Sequence, residues 1–86
     1  MYQVVLSRQA AKDRRLLAQA GLERRAKALL AVAAQNPFQN PPPYEKLVGN
    51  LTGFYSRRIN LQHRLVYSVH EAEQTVKVLR MWTHYE

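Results

Sequence analysis

Residues 36–43 (NPFQNPPP) constrain the fold more than any other stretch of the chain. Proline has no amide hydrogen, so neither a helix nor a central strand can run through this segment, and its consecutive prolines should hold the backbone extended and stiff. It cannot be a linker between domains. The chain has 86 residues, and the roughly 40 that remain beyond the prolines are too few for a core of their own. Residues 1–86 therefore form one domain, and the proline segment reads as a rigid crossover that delivers Tyr44 and Glu45 to a fixed place.

The two sides of the crossover differ in periodicity. Residues 2–6 are apolar and β-branched, which predicts a strand, and Ser7 follows as a helix N-cap. Strong helix formers run from there to about Ala20, and Gly21 interrupts them. Leu22, Ala26, Leu29, Leu30 and Ala33 then recur at the spacing of an amphipathic helix that ends near Asn36. Beyond the crossover, turn signals at residues 50–53 introduce three β-rich runs over residues 54–59, 63–70 and 75–83. The expected fold class is α+β: an N-terminal strand, a two-helix hairpin and an antiparallel β-meander packed by the helices.

With 13 Lys+Arg against 6 Asp+Glu, the formal net charge is +7. Such a field favours a polyanion or an acidic protein partner. Lys12, Arg14, Arg15, Arg24, Arg25 and Lys27 crowd the helical hairpin, mostly off its apolar stripe. They read first as a solvated face and second as a grip on nucleic-acid phosphates. The chain contains no cysteine, which excludes disulfides and thiolate metal sites, and the irregular spacing of His63, His70 and His84 does not suggest zinc. The opening residues lack the long apolar stretch of a signal peptide or membrane span, so the expectation is a soluble cytoplasmic protein.

Cations, imidazoles and aromatic rings gather in the second half: Arg57 and Arg58, His63 and Arg64, Trp82, His84 and Tyr85. Strand alternation puts His63, Leu65, Tyr67 and Val69 on a core face and Arg64 on the opposite one. Leu79 and Met81 are expected to join the core, which would leave Arg80, Trp82 and His84 on the open face with Arg64. Metal-free RNA cleavage by the 2′-OH needs a base, a cation for the charge on phosphorus and an acid for the leaving oxygen. Glu45, Arg64 and His84 can fill these roles in that order, and histidine suits the acid because it titrates nearest neutrality. Arg57 and Arg58 point to opposite faces, so at most one reaches the site, with Arg58 preferred. Trp82 and Tyr85 could stack on bases or simply cap the sheet edge. Each residue also has an ordinary reading: Glu45 as an exposed carboxylate at a strand start, His84 as a surface histidine near the terminus.

The segments NPFQNPPPYEKLVGNLTGFYSRRIN, QHRLVYSV and KVLRMWTHYE resemble the YoeB/Txe branch of the RelE superfamily of toxin-antitoxin toxins. The resemblance extends over the whole chain. It implies a microbial-ribonuclease-like fold and a ribosome-dependent endonuclease that cuts mRNA in the A site of the 70S ribosome. The products would carry a 2′,3′-cyclic phosphate or 3′-phosphate and a 5′-OH. No metal or organic cofactor is implied. Carried over by position, the general base falls on Glu45, the transition-state arginine on Arg64, the general acid on His84 and the terminal site tyrosine on Tyr85, with Arg58 as a further RNA contact. Val48 stands where the best-known member has a lysine, which leaves Lys46 as the nearby phosphate contact. The resemblance further implies a YefM/Phd-type antitoxin with an acidic C-terminal segment. Homodimers also occur in the branch, and the helices joined at Gly21 are the candidate interface. The alternatives are a basic module that blocks the ribosome without cleavage, and a gyrase poison of the related ParE branch.

Overall fold

The computed structural model describes residues 1–82. The elements are β1 (Gln3–Leu6), α1 (Arg8–Gln19), α2 (Glu23–Gln35), β2 (Glu45–Lys46), β3 (Phe54–Arg58), β4 (Arg64–His70) and β5 (Thr75–Arg80), with one 3-10 turn at Gly49–Leu51. The strands make one sheet in the order β1-β5-β4-β3-β2. β3 to β5 form the expected antiparallel meander, and the short β2 extends it beyond β3. β1 adds to its far edge in parallel with β5, pairing Gln3 with Thr75 and Leu6 with Val78. The α1–α2 hairpin lies between β1 and the meander in sequence, and both helices pack against the sheet.

Local chemistry sets the helix ends. The Ser7 hydroxyl accepts a hydrogen bond from the Ala10 amide at 2.9 Å and donates one to the Leu79 carbonyl at 2.9 Å, so a single side chain caps α1 and ties it to β5. Gly21, with φ +77°, makes the left-handed turn between the helices. On α2, Ala26 and Ala33 are buried while Leu22, Leu29 and Leu30 pack at the core margin, as the apolar stripe predicts. The alanines let the helix approach closely, and Leu17, Leu65, Tyr67, Val76, Val78 and Met81 supply most of the buried volume.

The face assignment on β5 needs correction. A bulge lies between the pairs Val66–Arg80 and Tyr67–Val78, leaving Leu79 without an opposite residue. Val76 and Val78 are the core residues of this strand, and beyond the bulge the Arg80 side chain reaches Asp13 of α1. Leu79 instead lines a hollow on the other face with Val5, Phe54 and Lys77. Met81 is buried as expected, because the extra residue of the bulge shifts the faces of the positions that follow it.

The proline crossover is compact instead of extended. The Asn40–Pro41 and Pro41–Pro42 peptides are cis, and the segment curls around the guanidinium of Arg57. That group donates to the carbonyls of Pro42, Pro37 (3.0 Å) and Gln39 (2.9 Å) and to the Tyr67 hydroxyl (3.1 Å). Tyr67 in turn donates to the Pro37 carbonyl at 2.7 Å. The Tyr44 ring lies 5.2 Å from the guanidinium carbon and joins Phe38 and Tyr55 in an aromatic cluster. The crossover is therefore gathered around an interior cation, which its sequence alone did not suggest.

Candidate functional site

Cross-strand register assembles a small polar cleft at one end of β2, β3 and β4. Glu45 opens β2 and pairs with Ser56 of β3, while Arg58 ends β3 and pairs with Arg64 at the start of β4. Ser56 and Arg58 are two residues apart, so their side chains share the face turned away from Arg57. Pro43, Glu45, Ser56, Arg58 and Arg64 line a cleft of about 200 Å³. Arg64 Nη1 donates to Glu45 Oε1 at 3.0 Å and to Ser56 Oγ at 3.4 Å. The Arg64 side chain is 24% exposed and that of Glu45 66%, so the cation is held in the cleft wall while the carboxylate faces solvent.

Sequence reasoning thus identified Glu45, Arg58 and Arg64, and the structure brings them together. Ser56 was missed, although it stands two residues from Arg58 on a strand and could have been found by alternation. Arg57 is corrected as an RNA contact: it is 1% exposed, and its donors are engaged by the crossover and Tyr67. Lys46 is exposed but pairs with Tyr55, on the face of β2 opposite Glu45, and does not line the cleft. Trp82 is corrected as an open-face ring. It packs at the core margin, and one face of its indole stacks on His63 with centroids 4.0 Å apart. His84 and Tyr85 lie outside the described residues.

A second constellation was not anticipated. Asp13, 1% exposed on α1, accepts on Oδ2 from Arg80 Nε at 3.0 Å, the Met81 amide at 2.9 Å and the Trp82 amide at 3.3 Å. Its other oxygen accepts from Gln9 at 2.9 Å. Burial, the largest single influence, pushes the Asp13 carboxyl up, but the bonds from Met81, Gln9 and Arg80 together outweigh it and hold the group below its ordinary value of 3.8. The available signal was an acid on the apolar stripe formed with Ala10 and Leu17. Among the described residues, no group of three or more His, Cys, Asp or Glu side chains is arranged to hold a metal ion. Nor is any of their helices long and apolar enough to cross a membrane.

Comparison with known proteins first defines the class. The fold superposes on a YoeB/ParE toxin from Agrobacterium tumefaciens with a TM-score of 0.87 at 28% identity, covering 96% of this chain and 99% of that one. It superposes on the toxin of a YoeB-YefM complex from Staphylococcus aureus with a TM-score of 0.82 at 34% identity, covering 99% of each chain. This is the RelE/YoeB toxin fold. At the level of sequence, residues 6–85 match the model for the YoeB-like toxin of bacterial type II toxin-antitoxin systems, and the chain belongs to that family. It is 37% identical over 65 residues to toxin YoeB of Synechocystis sp., covering 76% of this chain and 73% of that protein. The Staphylococcus aureus relative has also been crystallised as a YoeB dimer, whose chain is likewise 34% identical to this one.

Proposed function

We propose that this YoeB-family toxin is a ribosome-dependent mRNA endoribonuclease that cuts in the A site without a metal, using Glu45, Arg64 and His84. The observation that carries the reading is the pairing of Glu45 with Arg64 across a cleft walled by a second cation, Arg58. In this reading the Glu45 carboxylate takes the proton of the mRNA 2′-OH as that oxygen attacks phosphorus. A 2′-O–P bond forms and the P–O5′ bond breaks. His84 gives a proton to the departing 5′-oxygen, leaving a 2′,3′-cyclic phosphate and a 5′-OH.

Arg64 suits the middle role because a guanidinium keeps its charge throughout the physiological range and has five donors. One side of the group touches Glu45, and its remaining N–H groups can meet the phosphoryl oxygens as their charge grows. The cation would then hold base and phosphate in one frame. Arg58 adds a phosphate contact on the same wall, and Tyr85 is assigned as a further RNA contact. The net charge of +7 suits both the ribosome and an acidic antitoxin segment, and we assign to this chain a YefM/Phd-type antitoxin that closes over the cleft.

The test is primer extension on a defined mRNA with purified ribosomes. Cuts near the A-site codon that require the ribosome and disappear in Glu45→Ala and His84→Ala are the expected result. Translation arrest without new RNA ends would overturn the enzymatic reading in favour of block by occupancy.

A further inference from the structure

We infer that Asp13 is a positioning residue for this reaction, acting by clamping the backbone at Met81 and Trp82, from which the chain continues to His84. The inference rests on the assignment of His84 as the acid, and the experiment below separates failure of one from failure of the other. Asp13 itself does not line the cleft, so any effect on cleavage must pass through what it holds.

The argument starts from cost. A carboxylate is expensive to bury, and an apolar residue between Ala10 and Leu17 would extend the stripe of α1 at no such cost. What the acid provides is specific. β5 ends at Arg80, so the ladder that satisfied its amides ends there too, and the next two amides need acceptors. One oxygen of Asp13 meets both, along with the guanidinium of Arg80. Its second oxygen is held by Gln9 one helical turn earlier, which fixes the rotamer. The clamp therefore ties the last strand to α1, whose N-terminus Ser7 already ties to the Leu79 carbonyl. At the end of the sheet Leu79 and Met81 are tied to α1 and its cap through their backbones and Arg80 through its side chain, and Trp82 is pinned by its amide and by its stack on His63. Such restraint fixes the direction in which the backbone leaves β5. It suits a chain end that must deliver an acid to within hydrogen-bond reach of a leaving oxygen.

The experiment uses two ribosome-bound mRNAs, one ordinary and one with sulfur replacing the 5′-oxygen at the scissile bond. A thiolate departs without needing a proton, so the sulfur substrate bypasses the acid. Wild-type protein, His84→Ala and Asp13→Asn are compared on both, with folding checked by circular dichroism. On the ordinary substrate Asp13→Asn is expected to lower kcat by at least about tenfold with KM little changed, as small misplacement of a reacting group does. On the sulfur substrate both variants should recover most of the wild-type rate. An Asp13→Asn defect of equal size on both substrates, with His84→Ala rescued, would overturn the inference and leave the enzymatic reading standing. Full activity of Asp13→Asn on ordinary mRNA would do the same. Failure of the sulfur to rescue His84→Ala would remove the acid assignment, and this inference with it. Should Asp13→Asn not fold, Arg80→Gln keeps the two amide bonds and takes its place: a smaller defect that sulfur rescues supports the clamp, and an unrescued defect overturns it.

Discussion

In the proposed reading the Glu45–Arg64 pair does the chemistry while contributing little to stability. Two-thirds of the Glu45 side chain is exposed, and ion pairs in that setting contribute at most about 1 kcal/mol. Glu45→Gln keeps the shape and an oxygen for Arg64 while losing the proton acceptor. It is expected to leave the melting temperature nearly unchanged and to lower ribosome-dependent cleavage about 10²- to 10⁴-fold; an equal loss of both would point to a structural role. Asp13 behaves in the opposite way. Its carboxyl is held below its ordinary value, so the native state binds this proton less readily than the unfolded chain does. The clamp's contribution is therefore complete above the ordinary value of 3.8 and disappears as pH falls through the lower native value. Thermal melts of wild type and Asp13→Asn should differ near neutrality and converge in strong acid. The two carboxylates were not equally visible in the sequence. Glu45 stands just past a proline run and matches a family motif, whereas Asp13 is one acid among helical residues, and three of its four partners lie more than sixty positions away in the chain.

At the level of the element, the crossover and the bulge explain most of what sequence patterning missed. In a chain this basic, the adjacent Arg57 and Arg58 look alike, and only alternation says that they part company. Nothing local says that one of them turns inward to collect three carbonyls from a loop made well before it. The outcome is testable on stability. Arg57→Met would leave the Pro37, Gln39 and Pro42 carbonyls and the Tyr67 hydroxyl short of a donor, and should cost at least about 3 kcal/mol in denaturant unfolding. Tyr67→Phe, which removes one link of the same network, should cost about 1–2 kcal/mol. A cost for Arg57→Met no larger than that of Arg58→Met would mean that the crossover holds its shape unaided. The helices, by contrast, were found almost to the residue, because Ser7, Gly21 and the stripe from Leu22 to Ala33 are local signals. The strand β5 was found but its faces were misassigned, since a bulge depends on the register of the partner strand and leaves no mark on alternation.

For the molecule as a whole, the sheet order carries a consequence about time. β5 lies between β1 and β4, so among the described strands the last in sequence is an interior one, and the first in sequence pairs only with it. A chain that stops before Thr75 should show little structure by circular dichroism, because β1 and the helical hairpin then lose the surface on which they pack. Until β5 and the two residues after it have been made, neither the core nor the Asp13 clamp can exist. In the proposed reading the ribosome that synthesises the toxin is also its target in kind. Because the sheet closes only once β5 has emerged, a chain still short of that strand would be harmless to the machine making it, with no inhibitor required for that interval.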